Sequence, residues 1–223
     1  MTATLPIEKV TEIFYPSEDG EPLAESYDHV YVILTTLAVL KQYLTGRQAT
    51  VLADQFLYYS QGFPNLRVAP DVMVIFEVEP GGRDNYKIWE EGQIPAVIFE
   101  ITSPGTKAQD TGFKKTLYEQ LGVKEYWLFD PRGEWIKEKL RGYRLVGESY
   151  ELITNSRSKA LGLRLEVEGK LIEFYQEDTG EKLLIPEELW SALEESQEIA
   201  QRERQRAEVL AAQLRSLGIE PEA

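Results

Sequence analysis

The sequence predicts an α/β fold that contains a parallel crossover, an antiparallel extension and a long C-terminal helix. Two apolar runs, PAVIFEITSP at 95–104 and VKEYWLFDP at 123–131, are typical of strands that are buried on both faces. A helical pattern from about Asp110 to Leu121 lies between them and ends at Gly122. The order strand, helix, strand predicts a right-handed crossover between two parallel strands.

Three elements precede this crossover. Apolar residues recur at helical spacing up to Gly46 and predict one helix with a core-directed face. TVLADQFLYYS at 50–60 and VAPDVMVIFEV at 68–78 each predict one strand, and the second strand opens at Asp71. The segment at 79–93 is rich in Gly and charged residues and is predicted to be a loop or an excursion.

The C-terminal part divides into an extension and a charged tail. Short alternating segments after Pro131 are typical of antiparallel strands. We expect a main domain at 1–186 and a charged helix at 187–223. Four apolar residues repeat every seven positions in this helix: Leu193, Ala200, Ala207 and Leu214. Because Ser196 and Glu203 interrupt the companion row, the coiled-coil signal is weak, and both a homodimer and a solvated tail stay open.

Composition limits the classes of protein. The chain has 223 residues, of which 43% are hydrophobic, and it has no cysteine, so disulfides and thiolate metal sites are excluded. No signal peptide or membrane span is recognisable, which predicts a cytoplasmic protein with no membrane partner. The net charge of −14 disfavours nonspecific binding to nucleic acid. The stretch 107–144 is the exception, with nine Lys or Arg against six Asp or Glu.

Glu100 interrupts the apolar run of the strand at 95–104. An unpaired carboxylate inside such a strand would cost roughly several kcal/mol, so it must be protonated, paired with a basic side chain or held by a cation. Asp71 opens a neighbouring predicted strand. If the two strands pair, both carboxylates and the backbone carbonyl of Ile101 can converge on one hard divalent cation, Mg²⁺ or Mn²⁺. Such an ion would supply an activated water for hydrolysis.

The helix after this strand offers a basic partner. Asp110, Lys114 and Tyr118 are four residues apart and therefore line one helix face. Lys114 could reach the strand end and stabilise charge on a phosphoryl oxygen. Lys115 points about 100° away and is the weaker candidate. The only histidine, His29, is interpreted as a helix-face residue.

These motifs together resemble a known family. APDV, followed by FEITSPGTKAQDTGFKKTLYEQLGVKEYWLFDP, is similar to the bacterial Uma-two family, a branch of the PD-(D/E)XK nuclease superfamily. The resemblance covers roughly 15–190. It implies a restriction-endonuclease-like core, with a central mixed four-stranded sheet flanked by helices. It also implies Asp71 and Glu100 as metal ligands and Lys114 as the catalytic lysine.

The chain departs from the family pattern at two places. Thr102 stands where the superfamily has its lysine, so activity requires that Lys114 takes that role from the helix. The segment GEPLAESYDH replaces a YELIDGE-like entry, and Glu25 could supply the helix glutamate that some of these nucleases use. Thr102 and Ser103 could instead only satisfy backbone groups at the strand end.

Three functions are consistent with this pattern. The first is a metal-dependent endonuclease that hydrolyses DNA phosphodiester bonds. The second is a nuclease-fold binding protein without turnover, which dimerises or recruits a partner through its C-terminal helix, since fold alone does not establish function. The third is a hydrolase of a small phosphorylated substrate, which would suit the acidic body.

Overall fold

A computed structural model describes residues 13–20, 25–103 and 105–218. The chain forms two compact units, Met1–Leu183 and Leu184–Ala223. The helices and strands follow in chain order: α1 Tyr27–Tyr43, β1 Ala49–Leu52, β2 Leu57–Tyr58, β3 Arg67–Val68, β4 Val72–Phe76, β5 Tyr86–Lys87, α2 Ile88–Glu91, β6 Val97–Ile101, a π-helical turn Gln109–Lys114, α3 Lys115–Leu121, β7 Glu125–Phe129, β8 Leu140–Val146, β9 Ser149–Ile153, β10 Arg157–Ser158, β11 Leu163–Glu168, β12 Leu171–Gln176, β13 Lys182–Leu183 and α4 Pro186–Ser216.

The predicted mixed sheet is confirmed. Six strands form the central sheet in the order β1-β4-β6-β7-β8-β9. β6 and β7 pair in parallel, as the crossover requires, and every other pair in this sheet is antiparallel. The four strands β1, β4, β6 and β7 correspond to the implied core, and the hairpin β8–β9 extends it. Every residue of β6 and β7 is buried, which explains why both sequences are apolar except for one glutamate each, Glu100 and Glu125.

Two of the predicted strands are each interrupted. The run at 50–60 forms β1 and β2, and between them Asp54 adopts a φ of 51°, which ends the extended conformation. The run at 68–78 forms the end of β3 and then β4, so Asp71 lies just before its strand and not inside it. The excursion at 79–93 contains β5 and the one-turn helix α2. The apolar sequences correctly predicted strands in these runs but did not predict where the chain leaves one sheet and enters another.

Helix ends fix the elements that flank the sheet. Ser26 caps α1, because its hydroxyl accepts a hydrogen bond of 3.3 Å from the backbone N–H of His29. α3 ends at Gly122, whose φ of 87° is typical of a left-handed helix terminus. The turn that leads into α3 is π-helical, a wide form that occurs mostly as single turns and frequently at functional sites.

The core contains large aromatic side chains on both faces of β7. Tyr126 packs against Tyr118 of α3 with ring centroids 5.2 Å apart, and Trp127 stacks on Phe99 from the other face at 6.4 Å. Gly142 in β8 makes room for Trp127, because a Cβ atom there would lie 2.5 Å from the indole ring. This packing holds α3 against the strands that carry the candidate site.

The remaining strands form two smaller sheets. β10, β11, β12 and β13 make a four-stranded antiparallel sheet, and β3, β2 and β5 make a three-stranded one. Gly169, with a φ of 58°, lies at the turn between β11 and β12. In the second unit, α4 is 31 residues long and has no buried residue. Within the described residues, no helix is long and apolar enough to cross a membrane.

Candidate active site

Asp71 and Glu100 lie at facing ends of neighbouring strands. β4 and β6 pair with Val72 opposite Phe99, so one further step of the ladder places Asp71 opposite Glu100. The backbone N–H of Ile101 donates a hydrogen bond of 2.5 Å to Oδ2 of Asp71, which holds this carboxylate against the end of β6. The structure therefore brings together two acidic residues that are far apart in the sequence.

Lys114 reaches Glu100 from the π-helical turn. Its Nζ donates a hydrogen bond of 2.8 Å to Oε2 of Glu100, which is completely buried. Tyr118, one turn further along, donates from its hydroxyl to Oε1 of the same carboxylate at 2.7 Å. Lys115 points elsewhere, with its ammonium 4.7 Å from the centre of the Tyr143 ring. The expected separation of the two lysines is thus observed.

Asp110 adds a second carboxylate to this lysine. Its Oδ1 lies 3.2 Å from Nζ of Lys114, and the residue is only 1% exposed. Among the described residues, neither oxygen of Asp110 has a hydrogen-bond partner of good geometry. One ammonium therefore faces the carboxylates of Glu100 and Asp110, with Asp71 close by, which leaves an excess of negative charge at the site.

Burial and this excess charge together shift the pKa values of the site. Burial raises the pKa of Glu100 to about 7, against the opposing effect of the Lys114 ammonium. Burial also raises the pKa of Asp71 well above its usual range, and repulsion from Glu100 adds to the rise. Burial alone would lower the pKa of Lys114, but the surrounding carboxylates, chiefly Glu100, outweigh it and raise that pKa. Lys114 is therefore charged at neutral pH, whereas the acidic pair holds protons more tightly than free carboxyl groups.

His29 and Glu25 approach the site from α1. Nε2 of His29 lies 4.0 Å from Oδ1 of Asp71 and 3.9 Å from Oε2 of Glu25. His29 is 6% exposed, and its Nδ1 is buried without a hydrogen-bond partner in the described parts of the chain. His29 therefore stands between Glu25 and Asp71, closer to the site than the interpretation as a helix-face residue implied.

Thr102 and Ser103 behave differently from each other. The backbone N–H of Thr102 donates to the carbonyl of Phe129 at 2.7 Å, while its buried hydroxyl has no partner among the described residues. The Ser103 hydroxyl lies 3.2 Å from that of Thr106 and belongs to the turn that precedes the π-helical segment. Both line a cavity of about 420 Å³ that also touches Glu25. Both residues thus line the cavity beside His29, and Ser103 also belongs to the turn.

Asp54 is an acidic neighbour that the sequence pattern did not single out. It follows β1 at the point where the strand breaks, and its backbone N–H donates to the carbonyl of Pro70 at 3.1 Å. Repulsion from Asp54 contributes to the raised pKa of Asp71. The pKa of Asp54 itself is also raised, chiefly by burial. The only signal in the sequence was an acidic residue inside an apolar run, the same signal that marked Glu100.

The residues at the site fit a hard divalent cation that takes few ligands from the protein. No group of three or more His, Asp or Glu side chains suited to metal binding occurs among the described residues. Asp71 and Glu100 can nevertheless offer oxygen ligands, since each carboxylate oxygen has two lone pairs and Oδ1 of Asp71 lies as far as 4.0 Å from Nε2 of His29. Mg²⁺ suits such a donor set, because it usually keeps several waters and binds through one or two carboxylates.

These features define the class of protein: a mixed α/β domain with an acidic pair at the ends of two strands and a helix lysine beside it. The chain belongs to the Uma2 family, whose description is "Putative restriction endonuclease" and whose sequence profile matches residues 18–171. The resemblance inferred from the motifs is thereby confirmed.

One solved structure is also similar. It is described as a putative nuclease belonging to DUF820 from Anabaena variabilis ATCC 29413. The similarity has a TM-score of 0.44 at 16% sequence identity, covering 64% of this chain and 77% of that one. No curated protein matches the chain significantly.

Proposed function

We propose that this protein is a divalent-cation-dependent endonuclease that hydrolyses phosphodiester bonds of DNA. The observation that carries the proposal is the meeting of Asp71 and Glu100 beside the ammonium of Lys114, which lies 2.8 Å from Glu100. Membership of the Uma2 family supports a nuclease. Asp71, Glu100 and the backbone carbonyl of Ile101 would hold Mg²⁺ or Mn²⁺. When bound, such an ion supplies Lewis acidity to a phosphate group and lowers the pKa of a water.

The acidic groups prepare the site for a cation. Burial raises the pKa values of Asp71 and Glu100, and so does neighbouring negative charge that the protein alone does not neutralise. A divalent ion would neutralise it and displace the proton that the pair of Asp71 and Glu100 retains. In this proposal, the excess carboxylate charge around Lys114 serves to bind the divalent cation.

Lys114 acts in this proposal as a fixed positive charge and not as a base. Its pKa is raised, so the ammonium keeps its proton at neutral pH. Glu100, Asp110 and the hydroxyl of Tyr118 restrain it and its partner in one position. A preorganised cation of this kind stabilises charge that develops on a phosphoryl oxygen without reorganisation. Thr102 need not be a lysine, because the helix delivers the ammonium to the same carboxylate.

The charges around the site indicate the side from which DNA approaches. A cavity of about 530 Å³ next to Lys114 is lined by Arg67, Gln109 and Phe113 and by no acidic residue. The cavity on the His29 side is lined by four acidic residues, Glu25, Asp28, Asp130 and Glu134, and by one arginine, Arg132. Phosphates are attracted to the first surface and repelled by the second. We therefore place the DNA backbone on the Lys114 side.

Plasmid cleavage with Mg²⁺ or Mn²⁺ tests the proposal. Wild type is compared with Glu100→Gln, Lys114→Ala and the neighbouring control Lys115→Ala. We expect Glu100→Gln and Lys114→Ala to lose about 100-fold or more in rate, the usual scale for removing a group that stabilises the transition state. Lys115→Ala should keep the wild-type rate. Equal cleavage by all four proteins would identify a contaminating nuclease and contradict the proposal.

A second candidate function is a nuclease-fold binding protein without turnover. One observation favours it: both oxygens of Glu100 already accept hydrogen bonds, so the ion pair with Lys114 could be purely structural. Thermal unfolding distinguishes the two candidates, because a ligand that binds the folded state raises the melting temperature. Millimolar Mg²⁺ should raise it for wild type but not for Glu100→Gln. Equal melting temperatures with and without the ion would favour the binding protein.

A further inference from the structure

The helix α4 presents apolar side chains that nothing within it covers. None of its residues is buried, and Leu189, Leu193 and Leu210 are 42%, 48% and 59% exposed. Two rows of residues run along one face, and successive members of the two rows alternate at intervals of four and three residues, as the a and d positions of a heptad do. The a row contains Leu193, Ala200, Ala207 and Leu214. The d row contains Leu189, Ser196, Glu203 and Leu210.

The distribution of large residues along these rows is symmetric. Leucines occupy both ends of the face, while the middle contains Ser196, Ala200, Glu203 and Ala207. In an antiparallel pair each a residue packs against a d residue of the other helix. Pairing Leu193 with Leu210 of a second copy then automatically pairs Leu189 with Leu214. Both ends of such a pair are leucine layers, and small side chains line the centre.

The charges of α4 also favour an antiparallel pair, because they are distributed unequally along the helix. Residues 186–200 contain five Glu and no Lys or Arg, whereas residues 201–216 contain four Arg and two Glu. An antiparallel pair places the acidic half of each copy beside the basic half of the other. A parallel pair would place acidic half against acidic half, which is unfavourable.

Glu203 discriminates most sharply between the two orientations. In a parallel pair it would face its own copy inside the apolar seam, two like charges in contact. In the antiparallel register it faces Ala200, whose small side chain leaves space for the existing ion pair between Glu203 and Arg206, 2.6 Å apart. The central layers therefore favour the antiparallel orientation, in which the two Glu203 side chains do not meet.

We propose that α4 associates with α4 of a second copy of this chain as an antiparallel coiled coil, with Leu193 of one copy packed on Leu210 of the other. This association does not depend on the proposed nuclease activity. It joins two copies through their C-terminal helices, and the interface surface is the face defined by the two rows above.

Disulfide trapping tests the orientation directly, because the chain has no cysteine of its own. Full-length Leu193→Cys and Leu210→Cys proteins of different tag length are mixed and oxidised. The mixed disulfide should exceed either self-disulfide by about tenfold, because position 193 lies about 25 Å from position 193 of the other copy in the proposed register. A mixture of Ser191→Cys and Ala212→Cys proteins controls for random collision. Both positions lie outside the two rows, so the mixed disulfide should not exceed the self-disulfides.

The remaining outcomes decide against the proposal. A predominant self-disulfide at position 193 would show a parallel pair. Disulfides no more frequent than in the control mixture would show that the helices do not associate. Light scattering supplies an independent readout on the unmodified chain: a mass of 25.5 kDa, that of one chain, at about 100 µM would also overturn it.

Discussion

Replacement of Lys114 by methionine is expected to destabilise the domain strongly and in a pH-dependent way. Lys114 is 9% exposed and pairs with Glu100 at 2.8 Å and with Asp110 at 3.2 Å. Methionine keeps the apolar stem but removes the charge, which leaves two buried carboxylates without their cation. Breaking a buried ion pair in this way costs about 3–5 kcal/mol. With a urea m-value of about 2 kcal/mol/M, the unfolding midpoint should fall by about 2 M.

The pH dependence follows from the proton affinity of Glu100. Its folded pKa of about 7 is raised from 4.5, so folding favours the protonated form, and this contribution is complete below 4.5 and lost as pH rises through 7. Without the Lys114 ammonium the pKa of Glu100 rises further. The variant should therefore lose less stability relative to wild type at about pH 5 than at about pH 8.

Urea unfolding at both pH values measures this difference, with Lys115→Met as the matched control. Lys115 lies over the rings of Tyr143 and Tyr150, at 4.7 and 5.8 Å from their centres, and these cation–π contacts are weak, so its replacement should cost about 1 kcal/mol or less. If Lys114→Met and Lys115→Met lost the same stability at about pH 8, or if the loss were independent of pH, the buried ion pair would not exist as described.

Three further predictions concern packing, catalysis and binding. Gly142→Ala should cost about 1–3 kcal/mol in urea unfolding, because the new methyl group would lie 2.5 Å from the Trp127 ring. The rate of Mg²⁺-dependent cleavage should fall as pH is lowered through about 7, because protonated Glu100 is a poor ligand. Arg67→Gln should weaken DNA binding by cleavage-deficient Glu100→Gln protein and reduce the slope of log K against log salt by about 1.

Each of these predictions has a control and a contradicting result. Gly82→Ala, where no atom lies within 4 Å of the added Cβ, should leave stability unchanged. If both glycine replacements lost the same stability, the close contact with Trp127 would not explain the effect at Gly142. A cleavage rate that is flat between about pH 6 and pH 8 would argue against titration of Glu100 in catalysis. Arg67 lies over the ring of Phe56, 4.1 Å from its centre, and Arg47 lies in the same way over the ring of Tyr43 at 4.6 Å, which makes it a matched control. If Arg47→Gln weakened DNA binding as much as Arg67→Gln, the proposed approach side would be wrong.

Strand identity and the crossover were predictable because β6 and β7 are buried on both faces and are apolar except for one glutamate each. The same reasoning located Glu100, since a charged residue in such a strand demands a partner. Helical spacing then selected Lys114 and Tyr118 and made Lys115 the weaker candidate. These conclusions depend only on neighbours in sequence and on the periodicity of one element.

The features that escaped prediction depend on contacts between distant segments. Asp54 lies at a break inside an apolar run, and nothing in hydrophobic alternation marks a residue with φ of 51°. The π-helical turn that places Asp110 and Lys114 has no distinct sequence pattern. Alternation also gives the faces of a strand but not its partner, so β8 and β9 could not be separated from the sheet of β10–β13 in advance.

Calorimetric titration with Mn²⁺ tests the central claim most directly, namely that Asp71 and Glu100 together hold a divalent cation. Wild type should bind one ion per chain and release protons as it does so, whereas Asp71→Asn and Glu100→Gln, each shown to be folded by circular dichroism, should bind none. Stoichiometric binding that both variants retain, or the absence of binding by wild type at millimolar Mn²⁺, would contradict the account.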